Sequence, residues 1–414
     1  MTSLIARIWS NASPKTHDLL KPVGRMIAFW LALRVFSSLF ISIVSSLRPL
    51  TDIEQRIALF PPTQPLADWF YRAFLSPWLR WDAVWYVRIV TQGYHSNDGT
   101  ALFHPLYPWL AKPLYLLHLN PIFSLLLISA FSCLALLISY QYLSALDLPE
   151  TDTRFSTLLL FFAPPAFVLF APYTEALFIF LAILCLLWAR QEKWWFAGLA
   201  GGLAALTRQQ GMLLLIPVAW EMWEASGHDL RFVLKRWKLL FPLALIPIGY
   251  LSWIIYRALI LSDFKLNLEN PISFLSSMLL SPSGTNVVPN YGLVWPWMAI
   301  KMAVQKMIYE PDLDIWINLI LGVGFLFLLV LAWKRMNWAC RLYALAITIL
   351  SFSFNTGPLH PYMGLPRHLL LAFPVFISLA PIFNSRWKRL LIITICAVGW
   401  FVLLFLYGFE AWVP

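Results

Sequence analysis

A single carboxylate stands near the start of a polar, aromatic and proline-rich stretch, residues 80–108, in a chain that is otherwise strongly apolar. It belongs to Asp82, with Arg80 two residues before it and His104 near the end of the stretch. An ionisable side chain beside membrane-like segments is costly, and such residues usually bind or react with something. A carboxylate within hydrogen-bond reach of a hydroxyl can act as a general base, and we expect Asp82 to do so.

Three further polar clusters interrupt the apolar sequence, within residues 172–175, 207–211 and 355–368. Their candidate side chains are Tyr173, Glu175, Arg208, Gln209, His360, Arg367 and His368. Arginine binds phosphate through paired N–H donors, so this inventory suits transfer of a group carried on an anionic lipid. In such a reaction a base deprotonates the acceptor hydroxyl while arginines neutralise the leaving phosphate.

The composition fixes the class of protein that must position these residues. Hydrophobic residues make up 60% of the 414, charged residues 12%, and mean hydropathy is +0.71. Soluble domains carry about 25% charged residues. The chain is therefore predicted to be an all-α, polytopic membrane protein. Its net charge of +10 is not evidence of nucleic-acid binding, since the distribution of charge matters more than its sum.

Apolar runs predict about eleven spans, several of them shorter than the ~20 residues that a straight crossing needs. The predicted spans are 25–47, 121–143, 155–171, 176–190, 194–206, 210–224, 239–260, 314–332, 338–354, 368–383 and 390–407. Gly198, Gly201 and Gly202 in the short run 194–206 indicate a tilted span, a broken span or close packing against a neighbour through these small residues. Basic residues concentrate in alternate loops, which places the N-terminus in the cytoplasm and the four polar clusters on the outer face.

Two long outer loops are predicted, residues 48–118 and 261–312. Prolines exclude one continuous helix from the first loop, so short amphipathic helices lying on the membrane are expected at 64–75 and 83–91. No composition shift marks a soluble domain, and residues 1–414 are interpreted as one integral-membrane domain. Chemistry is expected on the outer face, where the loops are long and polar residues gather.

At these clusters the sequence resembles the GPI mannosyltransferase 2 family and its bacterial homologues, membrane glycosyltransferases of the GT-C superfamily. Three blocks in the family's order carry the resemblance: 80–83 (RWDA) with 93–94 (GY) and 101–108 (ALFHPLYP); 171–178 (APYTEALF) with 207–211 (TRQQG); and 366–368 (PRH) with 372–374 (AFP). His104 departs from the pattern, because the family usually has phenylalanine or proline there.

The resemblance implies a GT-C-like architecture and inverting transfer of mannose from a polyprenyl- or dolichyl-phosphate donor to a hydroxyl of a lipid-linked or glycan acceptor. Asp82 would be the base. Arg208 and Arg367 are candidates for the lipid phosphate, with His360 or His368 assisting and Glu175 holding sugar hydroxyls or orienting an arginine. The remaining donor-site and loop candidates are Arg80, His104, Tyr107, Tyr173 and Gln209. A bacterial plasma membrane is favoured over the endoplasmic reticulum.

Several alternatives remain open from the sequence. Asp82 could pair with Arg80 or Arg88 at the surface, and Glu175 could be a structural partner of Arg208. The histidines at 104, 360 and 368 match no metal-binding template, so neither a divalent metal nor another cofactor is expected. A GT-C enzyme with a different sugar donor, or a lipid or sugar transporter, are the competing functions. Transporters often show internal repeats, and none is evident here.

Overall fold

The computed structural model describes residues 16–47, 68–96, 98–229, 240–261, 292–357 and 360–409, and it is almost entirely helical over these ranges. The helices are α1 (Thr16–Leu47), α2 (Asp82–Gln92), α3 (Leu106–Leu116), α4 (Pro121–Ala145), α5 (Glu150–Phe161), α6 (Glu175–Arg190), α7 (Trp194–Thr207), α8 (Leu215–Ala225), α9 (Leu240–Leu259), α10 (Pro296–Tyr309), α11 (Leu313–Trp333), α12 (Trp338–Ser353), α13 (Leu365–Leu369), α14 (Pro374–Leu379) and α15 (Arg386–Gly408). The two-residue strands β1 (Gly292–Leu293) and β2 (Phe354–Asn355) pair antiparallel.

Local sequence signals set the starts of several long helices. The Asn120 side chain accepts from the backbone N–H of Ile122 at 3.0 Å, and Pro121 occupies the first turn of α4. Asn337 caps α12 in the same way through the Cys340 N–H, at 2.8 Å. Capping oxygens satisfy N–H groups that have no partner inside the helix.

Five helices are long and apolar enough to cross a bilayer, namely α4, α9, α11, α15 and residues 24–47 of α1. This confirms an all-α membrane protein. The eleven predicted spans differ from the helices in places. Residues 155–171 form α5 and a separate 3₁₀ turn, Pro164–Leu169, because two consecutive prolines cannot continue the helix. Residues 368–383 likewise comprise the end of α13, α14 and a 3₁₀ turn, separated at Pro374 and Pro381.

The first long loop contains the expected short helices. The predicted helix at 83–91 is confirmed as α2, and residues 68–78 form three successive short helical turns. Most of the second loop, residues 262–291, lies outside the described residues, as do residues 48–67 of the first loop. Within the described part of the second loop, α10 begins beside two exposed, stacked tryptophans, Trp295 and Trp297.

Glycines bring α7 and α9 into close contact, which is one of the three alternatives that the sequence left open for this run. A Cβ atom on Gly198 would lie 1.9 Å from the carbonyl oxygen of Pro242, and one on Gly202 would lie 2.6 Å from that of Leu245. From the α9 side, a Cβ on Gly249 would lie 2.3 Å from the Gly202 carbonyl oxygen. Small residues at such crossings let helix backbones approach within membranes. α7 ends five residues after Gly202, directly before Arg208.

Gly249→Ala should therefore destabilise the protein, because the added methyl group collides with backbone and the helices must separate. We expect a loss of about 1–3 kcal/mol, read as a lower midpoint of thermal unfolding in detergent. Gly324→Ala in α11 is the matched control, since a Cβ there meets no atom within 4 Å. Equal midpoints for the two variants would contradict this account of the crossing.

Candidate functional site

Four charged side chains from separate parts of the chain meet in one ion-pair chain, Asp82–Arg367–Glu175–Arg208. Arg367 Nη1 donates to Asp82 Oδ2 at 2.6 Å, although the two residues are 285 positions apart. Arg208 Nη1 donates to Glu175 Oε1 at 2.7 Å and to Thr174 Oγ1 at 2.8 Å. Arg367 Nε lies 3.8 Å from Glu175 Oε1 and joins the two pairs. All four predicted polar clusters therefore contribute a side chain here.

Helix ends supply these four side chains. Asp82 and Glu175 lie in the first turns of α2 and α6, where the helix dipole favours a negative charge. Arg208 is the residue after α7, and Arg367 lies in the short helix α13. Helix ends expose unpaired backbone groups and turn the chain sharply, so they gather side chains at one level of the bundle.

The four residues of the ion-pair chain differ in solvent exposure, and this difference indicates different roles. The Glu175 side chain is fully buried, whereas the Asp82 side chain is 24% exposed. Arg208 and Arg367 are 12% and 15% exposed. A buried charge needs a partner, so Glu175 acts first as the counter-ion that holds two arginines. Its second oxygen, Oε2, has no hydrogen-bond partner among the described residues. Asp82 is the more accessible of the two carboxylates.

Asp82 and Arg367 face a cavity of about 120 Å³ with aromatic walls. The lining includes Trp81, Trp85 and Tyr173. The Arg367 guanidinium also lies over the Tyr173 ring, 5.3 Å from its centroid, so Tyr173 fixes the cation rather than meeting a ligand through its hydroxyl. A small aromatic cavity lined by the Asp82 carboxylate and the Arg367 cation can hold a hydroxyl and an anionic group side by side.

Backbone strain immediately precedes the catalytic candidate. Trp81 has φ of 51°, a left-handed value that favours glycine. Residues held in such conformations cluster at functional sites. On the other side, Gly364 has φ of 80°, and a Cβ there would lie 2.3 Å from Arg367 Nε. Arg367 can fold back toward Asp82 only because residue 364 is glycine.

The Arg80 guanidinium faces protein backbone, and the described lining of the cavity does not include this residue. It is buried, and its Nη1 donates to the carbonyl oxygens of Tyr407 and Gly408, both at 2.8 Å. Its Nη2 donates to Ser45 Oγ at 2.9 Å. A cation bound to carbonyls at a helix C-terminus complements the helix dipole. Arg80 thus ties the first loop to α1 and α15, which is a structural role.

Tyr107 also has a structural position. The side chain is completely buried, and its hydroxyl donates to the Leu125 carbonyl oxygen at 2.9 Å and lies 2.7 Å from Ser129 Oγ. It therefore packs α3 against α4. Tyr107 does not belong to the ion-pair chain or to the cavity wall.

Gln209 begins the 3₁₀ turn Gln209–Leu214 directly after Arg208 and is half-buried.

His104 lies on the side of the site formed by α7 and α9. Its Nδ1 lies 2.9 Å from the Ala205 carbonyl oxygen, and since a carbonyl only accepts, Nδ1 carries the proton. The ring stacks on Tyr250, 6.0 Å between centroids. Burial lowers the pKa of His104 to about 3, and the charges of Arg257 and Arg208 act in the same direction. His104 is accordingly a neutral imidazole at physiological pH.

The other two histidines occupy different surroundings. His368 follows Arg367 in α13, and its ring meets Phe354 edge-on at 6.4 Å. His360 Nδ1 lies 2.8 Å from Asp314 Oδ2. Asp314, at the start of α11, also lines the cavity, and the motif analysis did not single it out. The signal that could have revealed it is an acid within the first residues of an apolar span, which is rare without a function.

Known proteins match this chain over a large part of its length. The family model described as Mannosyltransferase (PIG-V) matches residues 23–255, more than half of the chain. GPI mannosyltransferase 2 from Schizosaccharomyces pombe is 24% identical over 314 residues, which cover 73% of this chain and 60% of that relative. No solved structure matches. The family match includes Asp82, Glu175 and Arg208, and it shows that this chain belongs to the PIG-V mannosyltransferase family.

Proposed function

We propose that this membrane protein transfers a mannosyl residue from a polyprenyl- or dolichyl-phosphate donor to a hydroxyl of a lipid-linked or glycan acceptor, with inversion at the anomeric carbon. Membership of a mannosyltransferase family supports the type of reaction. The observation that carries the assignment of the site is the Asp82 carboxylate, partly exposed in a cavity and held by Arg367. The proposed face is extracytoplasmic, and the proposed setting is a bacterial plasma membrane.

In this mechanism Asp82 accepts the proton of the acceptor hydroxyl as its oxygen bonds to the anomeric carbon. The bond from that carbon to the phosphate oxygen breaks in the same displacement, and the lipid phosphate leaves with the electron pair. Arg367 engages Asp82 Oδ2, which leaves Oδ1 to receive the proton. Because Arg367 lines the cavity, it is also the proposed ligand of the leaving phosphate.

Arg208 has a less direct proposed part. It donates to Glu175 and Thr174, and the described cavity wall does not include it. Since Glu175 lies between the two arginines, Arg208 neutralises part of its charge and thereby keeps Arg367 available to Asp82 and the phosphate. Arg208 and Glu175 are thus proposed as positioning residues, and His368, next to Arg367 in α13, remains a proposed neighbour of the phosphate.

Asp82→Asn should lower the rate of transfer about 10²- to 10⁴-fold, because the amide cannot accept the proton. The measurement is transfer of radiolabelled mannose from polyprenyl-phosphate mannose in washed membranes. Asp98→Asn is the control, since Asp98 lies in the same loop and pairs with Arg88 at 3.0 Å. Undiminished transfer in Asp82→Asn would remove the proposed base, and passage of intact donor across the bilayer would support a transporter instead.

Arg367→Lys keeps the charge but loses the planar set of donors that reaches Asp82 and Glu175 together. We expect kcat/KM to fall about tenfold to hundredfold, the cost of losing a hydrogen bond between charged groups. Steady-state kinetics with varied donor measures the change. Arg154→Lys, at an exposed pair with Glu150, is the control and should be neutral. An unchanged kcat/KM in Arg367→Lys would contradict the assigned role.

Glu175→Gln should destabilise the protein by about 3–5 kcal/mol, because it leaves Arg208 and Arg367 without their buried counter-ion. The double variant Glu175→Gln with Arg208→Gln should recover part of that loss, since one unpaired cation is removed. Thermal unfolding of the four proteins in detergent gives the coupling between the two positions. Strictly additive losses would indicate that Glu175 does not serve as the counter-ion of Arg208.

A further inference from the structure

A second cluster of ligand-type side chains includes Asp314, which lines the cavity. Three ligand atoms lie within 4.8 Å of one another: a carboxylate oxygen of Asp312, a carboxylate oxygen of Asp314 and a ring nitrogen of His360. The two aspartates stand at the start of α11, and His360 follows α12 and β2 in the chain. Sequence spacing cannot reveal this group, because Asp314 and His360 are 46 residues apart.

Asp314 carries the observation that points to a missing ligand. The residue is only 5% exposed, and its Oδ2 is engaged by His360 Nδ1 at 2.8 Å. Its Oδ1 is buried and has no hydrogen-bond partner among the described residues. Buried carboxylate oxygens nearly always have a partner, because desolvation is costly. Since Asp314 lines the cavity, the missing partner can arrive from there.

Charge at the site favours a cation as that partner. The charges of Asp82 and Glu175 are balanced by those of Arg208 and Arg367. Asp314, which lines the same cavity, and the exposed Asp312 add negative charge, and the phosphate of the proposed donor would add more. A buried region of this kind is stabilised by a bound divalent cation, which becomes the largest local charge.

We propose that Asp312, Asp314 and His360 form a binding site for a divalent cation of the Mn²⁺ type, at the edge of the donor cavity. Two carboxylates and one imidazole suit such an ion, and coordination by Asp314 Oδ1 would satisfy the unpartnered oxygen. Asp312 is exposed and gives the site access to solvent. Ion binding stands by itself, whereas a role of the ion beside the leaving phosphate rests on the proposed function.

Titration with Mn²⁺ alone tests the site. The full-length protein is purified in detergent, any affinity tag is removed, and loss of the free Mn²⁺ signal is followed by electron paramagnetic resonance. We expect one bound ion per chain, with affinity at least tenfold weaker in Asp314→Asn and His360→Gln. Asp147→Asn is the control, because this half-exposed carboxylate pairs with Arg190 outside the cluster and should leave binding unchanged.

Two outcomes would overturn the site: absence of stoichiometric binding at millimolar Mn²⁺, or binding that persists undiminished in both cluster variants. If Asp314→Asn does not fold, the same test uses two other single variants, His360→Gln and Asp312→Asn, the latter at an exposed residue. A mannose-transfer assay in chelator separates the two proposals. If the protein binds no Mn²⁺ but transfers mannose in a way that depends on Asp82, the cation site alone is refuted. If Mn²⁺ binding depends on the cluster but no mannose is transferred, the cation site is supported and the proposed function is not.

Discussion

The ion pair between Asp82 and Arg367 is the constraint on which the site depends. A guanidinium and a carboxylate removed from water require each other, and either one alone would be strongly destabilising. This pair joins the first long loop to α13, across 285 residues of sequence. Through Glu175 the same chain of contacts reaches α6 and the end of α7. The structure thus fixes the position of its exposed carboxylate by balancing charge over four elements.

Helix packing makes that balance possible. α7 packs closely on α9 through glycine backbones and ends directly before Arg208. Proline interruptions produce the corresponding ends elsewhere, as at Pro164–Leu169 and around α13. Short helices that end inside the bundle would leave unpaired backbone groups. In this protein those ends are also where the charged and polar side chains of the site are placed.

Much of this arrangement was predictable from residue types. The membrane class, α2, the glycine contact and the meeting of Asp82, Glu175, Arg208 and Arg367 all followed from composition, periodicity and the resemblance of the motifs. Two predicted spans, 155–171 and 368–383, proved to be interrupted, because apolar runs alone do not register the effect of prolines within them. The number of membrane crossings and the GT-C-like architecture remain predictions.

The direction in which each charged side chain points could not be predicted from the sequence. Arg80 and Asp82 are two residues apart, yet Arg80 binds the carbonyls that end α15 while Asp82 meets Arg367. The left-handed backbone of Trp81, between them, accounts for this divergence, and tryptophan gives no advance sign of it. Asp314 escaped notice for the related reason that its partner His360 is distant in sequence. Charged residues two positions apart can therefore have different surroundings, one bound to backbone carbonyls and the other lining the cavity.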